Sequence, residues 1–146
     1  MKKSIIILSI AIAATIYGYF TNNSGLVESV SQQSEFINQS IQTAYDNHQS
    51  DVQVTGSAVV IKLLPDDIKG SRHQKFILKL TAGRTLLVAH NIDLAQKITS
   101  LRKGDTVEFN GEYEWNSKGG ILHWTHRDPK GRHVSGWLKH NGKIYQ

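Results

Sequence analysis

Three regimes of hydrophobic patterning follow one another along the chain. Residues 4–20 carry no charge and are apolar on every side, directly behind Met1, Lys2 and Lys3. Next, Val30, Ile37, Ile41 and Tyr45 recur at spacings of four and seven among Gln, Ser, Asn and Glu, which predicts one amphipathic helix. From Val52 onward the period falls to two. Alternation of inward and outward side chains predicts strands over 52–64, 75–80, 85–89, 106–115 and 121–125, the second opened by Arg72 and His73. Gly56, midway along the first, is expected to mark a bulge or sharp bend. Between the third and fourth strands Leu94, Ala95, Ile98 and Leu101 return to helical spacing, and Asn91 or Asp93 could cap that helix. The tail, Val134–Gln146, predicts a hairpin closed at Asn141 and Gly142, a pair that tolerates the positive φ of a tight primed turn.

Three strands, a helix and two more strands is the element order of the OB-fold, a small Greek-key barrel. The predicted fold class is therefore mainly β: an OB-like five-stranded barrel over residues 51–146, with one helix between strands 3 and 4. A small open sandwich with one helix reads nearly the same. Ahead of it stand an amphipathic helix or spacer over 25–50 and, over 1–24, a signal peptide or membrane anchor. The positive N-terminus followed by an uncharged apolar run is the layout of an export signal. Cleavage near residues 21–25 would release the protein to the periplasm or beyond. An uncleaved run over residues 4–20 sits at the short limit for spanning a bilayer and would tether the domain outside the cytoplasm.

Composition narrows the chemistry. The chain holds no cysteine, which excludes disulfides, thiolate metal sites, a cysteine nucleophile and a lipid-modified N-terminal cysteine. Net charge is +5, but its distribution is uneven. Glu28, Glu35, Asp46 and Asp51 stand without a basic residue over 26–51, whereas 52–146 carry a clear excess of Lys and Arg. A basic domain favours anionic partners.

The runs GSRHQKFILKL, LLVAHNIDLA, GDTVEFNGEYEWN and HWTHRDPKGRHVSGWLKHNGKIYQ resemble a family of small exported bacterial proteins known as a domain of unknown function, DUF3465. The resemblance covers about residues 52–146. It implies an OB-like barrel and no assigned activity.

Candidate chemistry concentrates at the C-terminal end, where His123, His126, His133 and His140 lie among Trp124, Trp137, Arg127, Lys130 and Arg132. One reading is a divalent metal site, with His123, His126 and His133 as ligands and Asp128 as a fourth donor. Residues 123 and 126 point to opposite faces of a strand, so that reading needs the chain to turn at Thr125. A second is metal-dependent hydrolysis, with a phosphodiester as one candidate substrate, the same histidines and Asp128 catalytic and Arg127 and Arg132 stabilising charge. The third is binding without chemistry, with Trp115, Trp124, Trp137, Lys118, Arg127 and Arg132 offering stacking and charge to an anionic ligand, a glycan or an envelope protein, and less readily to nucleic acid. His73 and His90 would share a rim if strands two and three are antiparallel neighbours. The favoured expectation is a ligand-binding rim of His73, His90, His123, His126 and His133 with Trp124, Trp137, Arg127 and Arg132 beside it. Against it stands a bland assignment in which the tryptophans are core, the basic residues a solvated face, and His48 and His140 structural. Glu108, Glu112 and Glu114 share one face of strand four and are expected to pair with Lys75 and Lys79.

Overall fold

The structure, a computed structural model, describes residues 40–80 and 83–146. The expected signal or anchor over 1–24 and most of the expected helix over 25–50 lie outside the described residues. Among the described residues no helix is long and apolar enough to cross a membrane. The remainder of the amphipathic helix is a short helix, α1, over residues 40–46. Its apolar stripe buries Ile41 and Ala44 in the same core as the strands, so this part is a packed element rather than a spacer. The amides of His48 and Gln49 return to the carbonyls of Tyr45 and Ala44, and His48 takes φ 53° where glycine usually ends such a helix. His48 is therefore a helix stop.

Seven strands follow: β1 (Val52–Leu63), β2 (His73–Lys79), β3 (Thr85–Asn91), β4 (Thr106–Glu114), β5 (Ile121–His123), β6 (Trp137–His140) and β7 (Lys143–Tyr145). β1 pairs with β4 along its first two thirds and with β2 along its last third, and β3 runs parallel to β5. The cycle β1-β2-β3-β5-β4 closes on itself through the β1–β4 pairing. That closed five-stranded barrel is the expected OB-like fold, and closure removes the exposed sheet edges. Alternation fills its interior with Val54, Val60, Phe76, Leu78, Leu86, Val88, Val107, Phe109, Tyr113 and Leu122. β1 changes partner without a break at Gly56. The extra residue lies at Ile61, between the pairs Val60–Leu78 and Lys62–Ile77, so the expected bulge moves five residues along.

The expected helix between strands 3 and 4 is not formed: residues 92–105 are turns and extended chain. Side chains of the barrel have claimed the backbone groups a helix would need. The buried amide of Gln74 donates to the carbonyl of Ile98 at 2.9 Å and accepts from its N–H at 2.8 Å, imitating a strand partner. The ring of His90 reaches the carbonyl of Gln96. Ala95, Ile98 and Leu101 still bury their side chains, so the apolar spacing reports burial against the barrel end rather than a helix.

At the C-terminus Asn141 and Gly142, at φ 50° and 79°, close the β6–β7 hairpin as expected. β6 lies along the same edge of β4 as β5, end to end with it. The loop 124–136 bridges the break between them.

Candidate functional site

The break between β5 and β6 is where the chemistry-bearing residues gather. β5 ends at His123 and the chain turns at once, because Trp124 holds φ 50°, a left-handed conformation unusual for a bulky residue. That turn carries Thr125 inward to the His90 ring, and Thr125 and His126 are both buried. The loop then closes on itself: the N–H of Gly136 donates to the carbonyl of His126 at 2.9 Å. Gly136 is required there, since a Cβ would stand 1.9 Å from the carbonyl oxygen of Trp124 and 2.5 Å from that of Asn110. Between those ends the carboxylate of Asp128 accepts the backbone N–H groups of Lys130, Arg132 and His133 at 2.9, 2.6 and 3.0 Å. These bonds, Lys130's foremost, hold its carboxyl down at about 2. Asp128 is thus committed to shaping the loop.

Beside this turn lies a cleft of about 190 Å³ on the outer barrel wall, lined by His73, Ala89, Asn91, Leu94, His123, Trp124 and His126. Antiparallel pairing sets His73 opposite Asn91, and parallel pairing brings β5 alongside β3, so His73 and His123 reach one surface from different strands. His126 donates Nδ1–H to the carbonyl of Arg127 at 2.7 Å. The Trp124 ring stacks on that of His133 at 3.8 Å between centroids and lies 5.3 Å from that of His126.

His90 does not join the cleft. It pairs with Gln74, one residue out of phase with His73 and Asn91, and therefore points into the barrel, where it is fully buried. Its Nε2–H donates to the Gln96 carbonyl at 3.2 Å, and its Nδ1 accepts the hydroxyl of Thr125 at 2.8 Å. Burial pushes this imidazole from 6.5 down to about 4, so it is neutral at pH 7. It anchors, from inside, the residue between Trp124 and His126. His140 is likewise interior and bonded to Asp105 at 2.8 Å. Arg127 and Arg132 are exposed on the loop, and Trp137 lies half-buried on β6 opposite Asn110.

The expected ligand set of His123, His126, His133 and Asp128 does not converge: Asp128 faces its own loop, and His126 and His133 both pack on Trp124. A different trio does. Glu112, Glu114 and His123 bring their donor atoms within 4.8 Å of one another. Glu112 stands directly across from His123 and Glu114 diagonally. Nε2 of His123 lies 3.3 Å from Glu112 and 3.7 Å from Glu114, and the second oxygen of Glu112 is 3.6 Å from Nδ1 of His133. The expected pairing of these glutamates with Lys75 and Lys79 is therefore not what β4 makes. β1 separates β4 from β2, and only Glu108 meets a lysine, Lys139 of β6. Two glutamates alternating on one strand face were visible in the sequence, but their histidine partner depended on the β4–β5 register.

A closed OB-like barrel with a histidine- and tryptophan-lined cleft at the end of its fifth strand is the class of protein this chain represents. Residues 25–146 match the family described as a protein of unknown function, DUF3465, and the chain belongs to that family. No curated protein matches it.

Proposed function

We propose that this protein is an exported binding module that holds a small anionic ligand in the cleft between His73, His123, Trp124 and His126. The observation that carries the reading is convergence: three imidazoles and an indole from two strands and a loop meet at one concavity, with the indole held in a strained backbone conformation. The cleft fits a ring-sized group rather than a long chain. Imidazole nitrogens supply directional polar contacts, Trp124 and Leu94 supply apolar wall, and Arg127, Lys130 and Arg132 add positive charge around the loop. A hydrolase is less well supported, because Asp128, its expected orienting carboxylate, is consumed by three backbone amides. Export rests on the charge and apolar pattern of residues 1–20.

The test is titration of the untagged full-length chain with anionic sugars, lipid head groups and short oligonucleotides. Trp124→Ala and the pair Arg127→Ala with Arg132→Ala should each weaken the best ligand about tenfold, the arginine pair with little change in melting temperature. Absence of binding across the panel, or affinity unchanged in both variants, would sink the proposal. Export is checked separately by mass spectrometry of the N-terminus from fractionated cells. An intact Met1 in soluble cytosolic protein would exclude it.

A further inference from the structure

We propose that Glu112, Glu114 and His123 form a divalent-cation site on the outer wall of the barrel, with His133 steadying Glu112 from outside. The donor spacing carries the argument. Zinc binds imidazole nitrogen and carboxylate oxygen at about 2.0–2.2 Å, so donors at tetrahedral angles around one ion stand roughly 3.4 Å apart. Nε2 of His123 is 3.3 Å from one carboxylate and 3.7 Å from the other. All three donor atoms lie within 4.8 Å of one another, so side-chain adjustment alone, with the strands unmoved, brings them to one ion.

A second observation is independent of the glutamates' charge. Although about a third of the His123 side chain is exposed, its Nε2 is shut off from solvent and makes no hydrogen bond, even with a carboxylate oxygen at 3.3 Å. A nitrogen deprived of water is normally satisfied by a partner. Here the oxygens are close enough for an ion pair but do not take up hydrogen-bonding geometry, which leaves Nε2 without a hydrogen-bond partner beside the two carboxylates. A divalent cation there would satisfy Nε2 and neutralise both charges together. The second oxygen of Glu112 lies 3.6 Å from Nδ1 of His133, whose ring stacks on Trp124, which places the loop where outer partners of metal ligands stand. One nitrogen with two carboxylate oxygens suits zinc above manganese and manganese above magnesium. His123 borders both the cleft and this trio, but neither glutamate lines the cleft, so a cation here does not require the proposed ligand.

The experiment uses the full-length chain without a histidine tag, stripped with chelator and titrated calorimetrically with Zn²⁺, Mn²⁺ and Mg²⁺. One Zn²⁺ per chain is expected, with Mn²⁺ weaker and Mg²⁺ weakest. The Glu112→Gln and Glu114→Gln pair, nearly isosteric and checked for folding by circular dichroism, should lose at least tenfold in Zn²⁺ affinity. His133→Ala should lose less. The control pair His73→Ala with His126→Ala should bind Zn²⁺ as the parent does, because neither residue pairs with Glu112 or Glu114. In the parent, Zn²⁺ should also shift the His123 ring resonances stoichiometrically, a readout that needs no variant. Unchanged Zn²⁺ binding in the glutamine pair, loss of binding in the control pair alone, or equal affinity for Mg²⁺ and Zn²⁺ would each overturn the site.

Discussion

At the scale of single residues, the histidines divide by strand phase rather than by position in the sequence. His73 and His123 occupy outward positions and meet at the cleft, whereas His90 and His140 occupy inward ones and serve the core. Their clustering in the chain was legible, but which of them face solvent required the registers. His90 yields a sharp prediction because it is buried and neutral. Its folded value of about 4 lies below the ordinary 6.5, so between those pH values the unfolded chain binds a proton that the native state does not. Stability contributed by the neutral ring is therefore full above pH 6.5 and is lost as pH falls toward 4, by about 3 kcal/mol over that window. Urea unfolding midpoints should fall accordingly between pH 7 and 4.5. His90→Gln should flatten that dependence while lowering stability at pH 7 by about 2 kcal/mol, since the Thr125 hydroxyl and Gln96 carbonyl lose their buried partner. An undiminished pH slope in the variant would place the effect elsewhere.

At the scale of elements, hydrophobic period identified β1 to β5, since alternate burial is imposed by the pleat itself, while the Asn141–Gly142 pair marked the hairpin of β6 and β7. It misassigned 91–101, where apolar residues fall at helical spacing for another reason. Leu94 stays exposed while Ala95, Ile98 and Leu101 plug the barrel end, and the backbone between them is paired by Gln74. A glutamine at an inward position of β2, in phase with Phe76 and Leu78, was the available signal that some neighbouring backbone would lack a partner. Gln74→Leu preserves volume but strands the N–H and C=O of Ile98, and should cost about 3 kcal/mol in denaturant unfolding. The loop 124–136 is organised the same way, by side chain on backbone. Asp128→Ala should speed amide exchange at Lys130, Arg132 and His133 and loosen the stacking of His133 on Trp124. Exchange rates unaltered at those three amides would show that the loop is held by Gly136 alone.

At the scale of the whole molecule, barrel closure places residues distant in sequence around one wall. β4 serves as its hub, taking β1 on one edge and β5 and β6 on the other. The cyclic order followed from element order, but not the end-to-end placement of β5 and β6, because no periodicity encodes where two strands share an edge. That placement brings Glu112 and Glu114 to His123 and opens the cleft beside Trp124, so the architecture, more than any local motif, makes the site. The same closure ties α1 to the barrel. Ile41 is fully buried in the common core, and Arg84, at the start of β3, lies over the Tyr45 ring at 3.6 Å while its Nε bonds Gln42. A helix that merely spaced a barrel from a membrane would unfold without consequence for it. One that supplies core instead melts with it. Ile41→Ala should therefore lower the stability of the entire barrel by about 3 kcal/mol, in one cooperative transition reported equally by helix and strand probes. Loss of the helical signal ahead of the barrel, with the barrel midpoint unmoved, would restore the spacer assignment for residues 40–46.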